Sequence, residues 1–377
     1  MARKLKSDKL LFTATLLLVC TSIVMVYSAS AVIATERWQD PYRFLFKQAA
    51  WVLIGLSLMP IVMRIDYRSY RQPVVIWTGL GIVTLALIAV LFSKEVNGAR
   101  RWMLLGPLGI QPSELAKIAI ILFTAALLER RMERINELSY ALLPIGFATG
   151  GIVGLVLIEP DLGTAVSILV IAGAMVFAAG ISYRYVIGLV LASVPALYLV
   201  IVTSPYRVQR MLAFLDPWSD AQGGGYQVIQ SMIAVGTGGI FGTGLMGGVQ
   251  KLFYLPEPHN DFIYAVIAEE LGLLGATTVL VCFCLITWRG LRTASRAPDR
   301  FGALLAVGLT TMIAFQALLN ISVVTGLAPT KGIPLPFVSA GGSSLLINLL
   351  GMAILLNVSQ HASSPHVVTM AMAKPDA

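Results

Sequence analysis

Charge is scarce in this chain: Asp, Glu, Lys and Arg make up 12% of its 377 residues, against 57% apolar. A soluble domain carries about twice that charged share. Long apolar runs recur from end to end, which excludes a water-surrounded globule with one anchor and indicates a polytopic membrane protein. Cysteine is scarcer still. Cys20, Cys282 and Cys284 all fall in apolar runs, so there is neither a disulfide framework nor a ligand cluster, and packing is their expected role. The P-loop, HExxH and D-x-D patterns are also missing, which disfavours a donor activated by a soluble nucleotide. No repeat of fixed period and no low-complexity linker appears.

What is present is a series of spans. The net charge of +8 would suit nucleic acid, but the basic residues sit mostly in short loops, a topology signal, and no nucleic-acid partner is expected. Residues 1–9 precede an apolar run from Leu10 to about Val32. That run is too long for a signal peptide and lacks a small-x-small cleavage site, so it reads as a first span. Ten spans are expected, at roughly 10–32, 45–63, 73–92, 114–129, 141–158, 162–180, 184–203, 261–288, 299–326 and 341–360. The fold class is therefore an all-α polytopic bundle, a single domain over 1–377, with tails at 1–9 and 361–377 on one side. With the N-terminus inside, inner segments hold sixteen Lys and Arg residues and outer loops nine, favouring both termini inside.

The outer loops 93–113, 204–260 and 327–340 break that rule by holding clustered basic residues along with glycines, prolines and carboxylates. The large loop between the seventh and eighth spans is far longer than a connection needs. Its "GGGYQ" and "GTGGIFGTGLMGG" are too glycine-rich for a transmembrane helix and predict a folded or re-entrant element, where irregular backbone meets protein or water.

Four stretches carry candidate chemistry. In "LPEPHNDFIYAVIAEELG", Leu255 to Gly272, two prolines stop any helix before His259. Asn260 is a good N-cap, with Asp261 in the first turn. Asp261, Ala265, Ala268, Gly272 and Gly275 then fall within about 40° on one face, a small-residue stripe headed by an acid. The helix N-terminus predicts an ionised Asp261, able to act as a base or cation ligand, or simply to cap its helix. Glu257 and His259 stand at the lip, and Glu269 and Glu270 lie about two turns in, where a carboxylate needs a partner: a buried pair, or else a proton path.

In "NGARRWMLLGPLGIQPSELAK", Asn97 to Lys117, Arg100 and Arg101 beside Trp102 suit either a headgroup anchor or a diphosphate clamp. Ser113 is a candidate cap for the fourth span. Glu114 and Lys117, three apart, share a helix face and can neutralise each other. "GLAPTKGIPLPFVSAGGSS", Gly326 to Ser344, offers Lys331, Ser339, Ser343 and Ser344 as anion donors, or is a rigid turn. "EPDLGT", Glu159 to Thr164, is a tight hairpin whose Asp161 can cap the sixth span.

Together with "GGGYQVIQSMIAVGTGGIFGTG", these motifs resemble the SEDS family of bacterial cell-wall proteins over nearly the whole chain. "YRVQRMLAFLDPW", "VQKLFYLPE" and "PTKG" resemble its division branch more than its elongation branch. The resemblance implies a peptidoglycan glycosyltransferase that polymerises lipid II on the outer face of the cytoplasmic membrane at the division septum. The family's essential aspartate falls on Asp261, its Glu/Lys pair on Glu114 and Lys117, and its outer arginine on Arg100 or Arg101. No organic cofactor is implied; a divalent cation, Mg²⁺ or Mn²⁺, could assist the leaving group. The implied partners are a class B penicillin-binding protein and other divisome membrane proteins. Asn260 stands where the family usually has Thr or Ser, and Ala340 where it has Tyr, which removes an aromatic hydroxyl. The rival readings are a lipid II flippase, which the intramembrane charges would suit, and a noncatalytic scaffold; a transporter, however, concentrates its polar residues near the midplane.

Overall fold

The computed structural model describes residues 7–95, 99–105 and 108–362; Asn97 and Lys374 lie outside them. Twelve α-helices occur among the described residues: α1 (Lys9–Trp38), α2 (Arg43–Arg64), α3 (Pro73–Val90), α4 (Pro112–Arg131), α5 (Leu143–Ile158), α6 (Leu162–Ala178), α7 (Tyr183–Val202), α8 (Pro205–Leu215), α9 (Tyr226–Thr237), α10 (Ile263–Arg296), α11 (Arg300–Val324) and α12 (Gly342–His361). The ten expected spans correspond to α1–α7 and α10–α12. Eight of these are long and apolar enough by themselves to cross a membrane. The other two are α6, which is 17 residues long, and α4, which carries Glu114 and Lys117 and ends in basic residues. The protein is thus a polytopic helical membrane protein, with one small antiparallel hairpin, β1 (Met103–Leu105) and β2 (Leu108–Ile110), leading into α4.

The core gathers around α10, α11 and α12, with Leu309, Met312, Ile313, Leu345, Leu349 and Met352 buried among them. A second cluster, including Leu87, Ile120, Val156 and Ile168, joins α3, α4, α5 and α6. α7 stands apart: none of its side chains is buried. One end of the bundle is tied by polar contacts. Asp8 accepts from the N–H groups of Leu10 and Leu11, capping α1, and from Arg289 Nε of α10 at 2.7 Å. Its own N–H donates to Ser359 Oγ of α12. The starts of α1 and the ends of α10 and α12 therefore share one end, as an even number of spans requires.

The opposite end carries the irregular segments. The expected loop 204–260 contains two helices: "GGGYQ" is not an irregular stretch throughout, since Tyr226 opens α9. The remainder, 238–262, has no regular structure and packs against a break in α10. Gly272 sits at φ 63°, ψ −162°, a region that Cβ sterics close to other residues. The small-residue stripe expected along this face is therefore interrupted at Gly272. Backbone groups freed by the break are satisfied from the incoming segment: Thr243 N–H donates to Glu269 O (2.9 Å), Gly244 N–H to Glu270 O (3.0 Å) and Leu273 N–H to Gly239 O (2.9 Å). A Cβ on Gly242 would collide with the Glu270 carbonyl. Irregular backbone survives at this depth because protein, not lipid, meets it.

Candidate active site

Asp261 lies just before α10, and the helix does not start where the sequence placed it. α10 begins at Ile263 with Phe262 as N-cap, while the Asn260 amide donates to Glu257 Oε2 at 2.8 Å. Tertiary donors have taken the carbonyls instead. His259 O accepts from Ala340 N–H (2.9 Å), Asn260 O from Ser339 Oγ (2.6 Å) and Asp261 O from Asn320 Nδ2 (2.7 Å). Three successive carbonyls are thus bonded to α11 and to the 326–341 segment, and Asp261 is fixed by the fold rather than by its own helix.

Its carboxylate faces a cavity of about 750 Å³ walled by α4, α6, α8, α11 and the 329–341 segment. Arg101, Arg207, Arg210 and Lys331 line it, with Glu257, Asp161 and the Glu114–Lys117 pair. Arg101 is held by the turn after α5, donating to Glu159 O (2.9 Å) and Pro160 O (2.7 Å). Arg210 donates to Thr330 O (2.9 Å) and lies over the Tyr206 ring. Lys331 O accepts from Ile333 N–H (3.0 Å), and the Lys331 ammonium lines the cavity without a hydrogen bond or ion pair among the described residues.

Protonation follows from this geometry. Burial, reinforced by Glu257, pushes Asp261 up to about 7, against the pull of Arg210, with Asp161 raising it and Arg101 lowering it further. The expectation of a fully ionised aspartate, drawn from a helix N-terminus, is therefore corrected: that dipole starts two residues later and desolvation outweighs it. Burial lowers Lys331 to about 8; Asp161 opposes the shift, whereas Arg207, Arg210 and Arg101 reinforce it. Glu159, whose two carboxyl oxygens have no partner, is pushed up to about 8 by burial and then by Asp161.

The remaining candidates divide by placement. Asp161 caps α6, accepting from Thr164 N–H (3.1 Å) and Thr164 Oγ1 (2.8 Å), and it also lines the cavity. Arg100 points away, donating to Leu91 O. His259 is buried against Phe44, outside the cavity wall, and burial lowers its pKa. Ser339 donates to Asn260 O, Ser343 Oγ accepts from Gln111 N–H, and neither lines the cavity. Ser113 does not cap α4, whose N-cap is Gln111; Ser113 Oγ accepts from the Gln111 side chain. Glu114 and Lys117 form an ion pair of 2.8 Å, extended by Lys117 to Gln316 Oε1 (3.0 Å). Glu270 is paired with Lys251 (2.5 Å) and bonded by Ser28 Oγ, and Glu269 accepts from the N–H groups of Val249 and Gln250.

Sequence reading did not single out Arg207, Arg210, Lys251, Gln316, Asn320 or Gly332. The two arginines carry a readable signal, a three-residue spacing that puts both on one helix face. Among the described residues no three His, Cys, Asp or Glu side chains form a protein-only metal site.

The same arrangement of chain is found in known proteins. A chain of a peptidoglycan synthase complex, solved for the coordination of polymerization and crosslinking, superposes with a TM-score of 0.77 at 33% identity, covering 94% of this chain and 98% of that one. The probable peptidoglycan glycosyltransferase FtsW of Geobacter sp. (strain M18) is 41% identical over 93% of this chain and 96% of its own length. Stage V sporulation protein E of Bacillus subtilis (strain 168) is 40% identical over 96% and 99%. The model of the FtsW, RodA and SpoVE family, described as cell cycle protein, matches residues 8–364, and with the fold and the motifs around the cavity in agreement, this chain belongs to that family.

Proposed function

We propose that this protein is a peptidoglycan glycosyltransferase that polymerises lipid II, a disaccharide-pentapeptide on undecaprenyl diphosphate, into β-1,4 glycan during septal wall synthesis. One observation carries the reading: Asp261 and the cations Arg101, Arg207, Arg210 and Lys331 face one cavity. The names of the relatives support the reaction class. An acceptor sugar hydroxyl attacks the anomeric carbon of the donor as the carbon–oxygen bond to the diphosphate breaks. The hydroxyl proton passes to an Asp261 carboxylate oxygen, and the electron pair leaves with the diphosphate, whose growing charge meets the arginines and Lys331. A single displacement inverts the α-linked donor to a β-linkage. No nucleotide is needed, because the diphosphate is already a good leaving group; Mg²⁺ or Mn²⁺ would act on its oxygens.

The cavity is bordered by Ile201 and Ser204 at the end of α7, so the polyprenyl tail can leave along that unburied helix into lipid. In this reading the cavity end faces outward and both termini lie on the cytoplasmic side of the membrane, with a class B penicillin-binding protein beside the bundle. Of the intramembrane charges that would suit a flippase, Glu114 is paired with Lys117 and Glu270 with Lys251, and Glu269 is held by the N–H groups of Val249 and Gln250. The test is incubation of the full chain, with its transpeptidase partner in proteoliposomes, with fluorescent lipid II and Mg²⁺ or Mn²⁺. Glycan ladders are expected. Leaflet exchange without polymer would replace the polymerase by a flippase.

The two shifted groups make the pH dependence specific. Asp261 must be charged to accept a proton, so activity is gained as pH rises through about 7. Lys331 must be charged to stabilise the diphosphate, so activity is lost as pH rises through about 8. A narrow bell in kcat/KM is expected, and Lys331→Arg should carry the alkaline limb upward while leaving the acid limb in place. A flat profile across about pH 6 to 9 would contradict both assignments.

A further inference from the structure

Gly332 turns a bare Cα toward the Asp261 carboxylate. A Cβ built on it would lie 2.9 Å from Asp261 Oδ2 and 3.7 Å from Cγ, and would meet nothing else within 4 Å. Its φ is not positive, so the backbone does not demand glycine there. The space left by the missing side chain is occupied by that carboxylate alone. On the other side, Asn320 of α11 is buried, and its Nδ2 donates to Asp261 O and to Ile333 O, each at 2.7 Å. Both neighbours are backbone carbonyls, which only accept, so the amide nitrogen must be the atom facing them. One side chain therefore ties the backbone of Asp261 to the residue next to Gly332.

We infer that Asn320 and Gly332 are positioning residues for the base, Asn320 setting the separation of the two backbones and Gly332 leaving room for the carboxylate between them. The inference rests on the reading of Asp261 as general base. A misplacement of about 1 Å at a reacting group can lower a rate about 100-fold. A methyl at 332 has only the carboxylate, the free end of a side chain, to displace. Loss of the Asn320 donors releases the Asp261 backbone without touching the cavity cations.

The experiment compares wild type, Gly332→Ala, Asn320→Leu and Asp261→Asn as full chains polymerising lipid II, together with the double variant Gly332→Ala/Asp261→Asn. Gly332→Ala and Asn320→Leu are expected to lower kcat by about 10- to 100-fold with KM within about twofold. Asn320→Leu should also move the acid limb of the pH profile downward, as the released carboxylate gains water. The effect of Gly332→Ala should vanish in the Asp261→Asn background, because it acts through that carboxylate. Full activity in Asp261→Asn would remove the underlying reading. An inactive Asp261→Asn beside wild-type kcat and pH profile in the other two single variants would overturn the positioning role alone. So would a loss that follows thermal stability and adds in the double variant.

Discussion

Asp261→Asn is expected to lower lipid II polymerisation by about 10² to 10⁴-fold, the range that general-base help supplies, while leaving the fold intact. The amide has the shape of the carboxylate and fits the space beside Gly332, and the backbone bond from Asn320 is unaffected. What is lost is the acceptor for the hydroxyl proton. Stability should move the other way. A carboxylate whose pKa is raised from 3.8 to about 7 stabilises the folded state below its unfolded value and loses that contribution as pH rises through about 7. Above neutral pH the wild type therefore keeps a poorly solvated charge that the Asn variant lacks. Asp261→Asn should melt at or above the wild-type temperature near pH 8, measured by heating in detergent followed by size-exclusion chromatography. Polymer formation equal to wild type in the Asn variant would sink the base role.

Much of this architecture can be read along the chain, because lipid imposes it locally. Each of the ten expected spans falls on one helix; eight match within about two residues at both ends, while α1 and α10 run six and eight residues past the expected ends at 32 and 288. Two of the cavity's cations were also readable as exceptions to the topology rule: Arg101 and Lys331 stand in outer loops that hold clustered basic residues, and both line the cavity. The start of α10 was not readable. Asn260 followed by an acid is a local signal for a cap, but the carbonyls of residues 259–261 are claimed by donors 59 to 81 positions away, Asn320, Ser339 and Ala340. The ionisation of Asp261 was misjudged for the same reason: a local dipole was weighed against burial that only the assembled walls create. Ser339 and Ser343 show the converse error. Each has the chemistry of an anion donor, yet neither lines the cavity: Ser339 Oγ donates to Asn260 O, and Ser343 Oγ accepts from Gln111 N–H. Gly272 read as one more small residue in a stripe, and only its positive φ shows that it breaks the helix to admit the 238–248 backbone.

That admitted segment supplies the second large expectation. Lys251→Met should destabilise the protein by about 3–5 kcal/mol, the cost of leaving one partner of a buried ion pair alone. Glu270 is fully buried, and Lys251 Nζ, itself buried, reaches Glu270 Oε1 at 2.5 Å and Ser28 Oγ at 2.9 Å. The second carboxylate oxygen accepts from Met246 N–H at 3.1 Å and from Ser28 Oγ at 2.6 Å. Removing the ammonium leaves a charge inside the bundle with only neutral donors. Adding Glu270→Gln should restore most of the loss, since glutamine keeps an oxygen for Ser28 and Met246 while carrying no charge. The pair also fastens the segment that runs into Asp261, tying it to α1 through Ser28 and to α10 through Glu270. Polymerisation should therefore fall in Lys251→Met and recover with stability in the double variant. Thermal unfolding of the three variants in one detergent checks this. A single variant as stable as wild type, or a double variant no better than the single, would show that the Gly-rich segment is held by its backbone bonds to the broken helix alone.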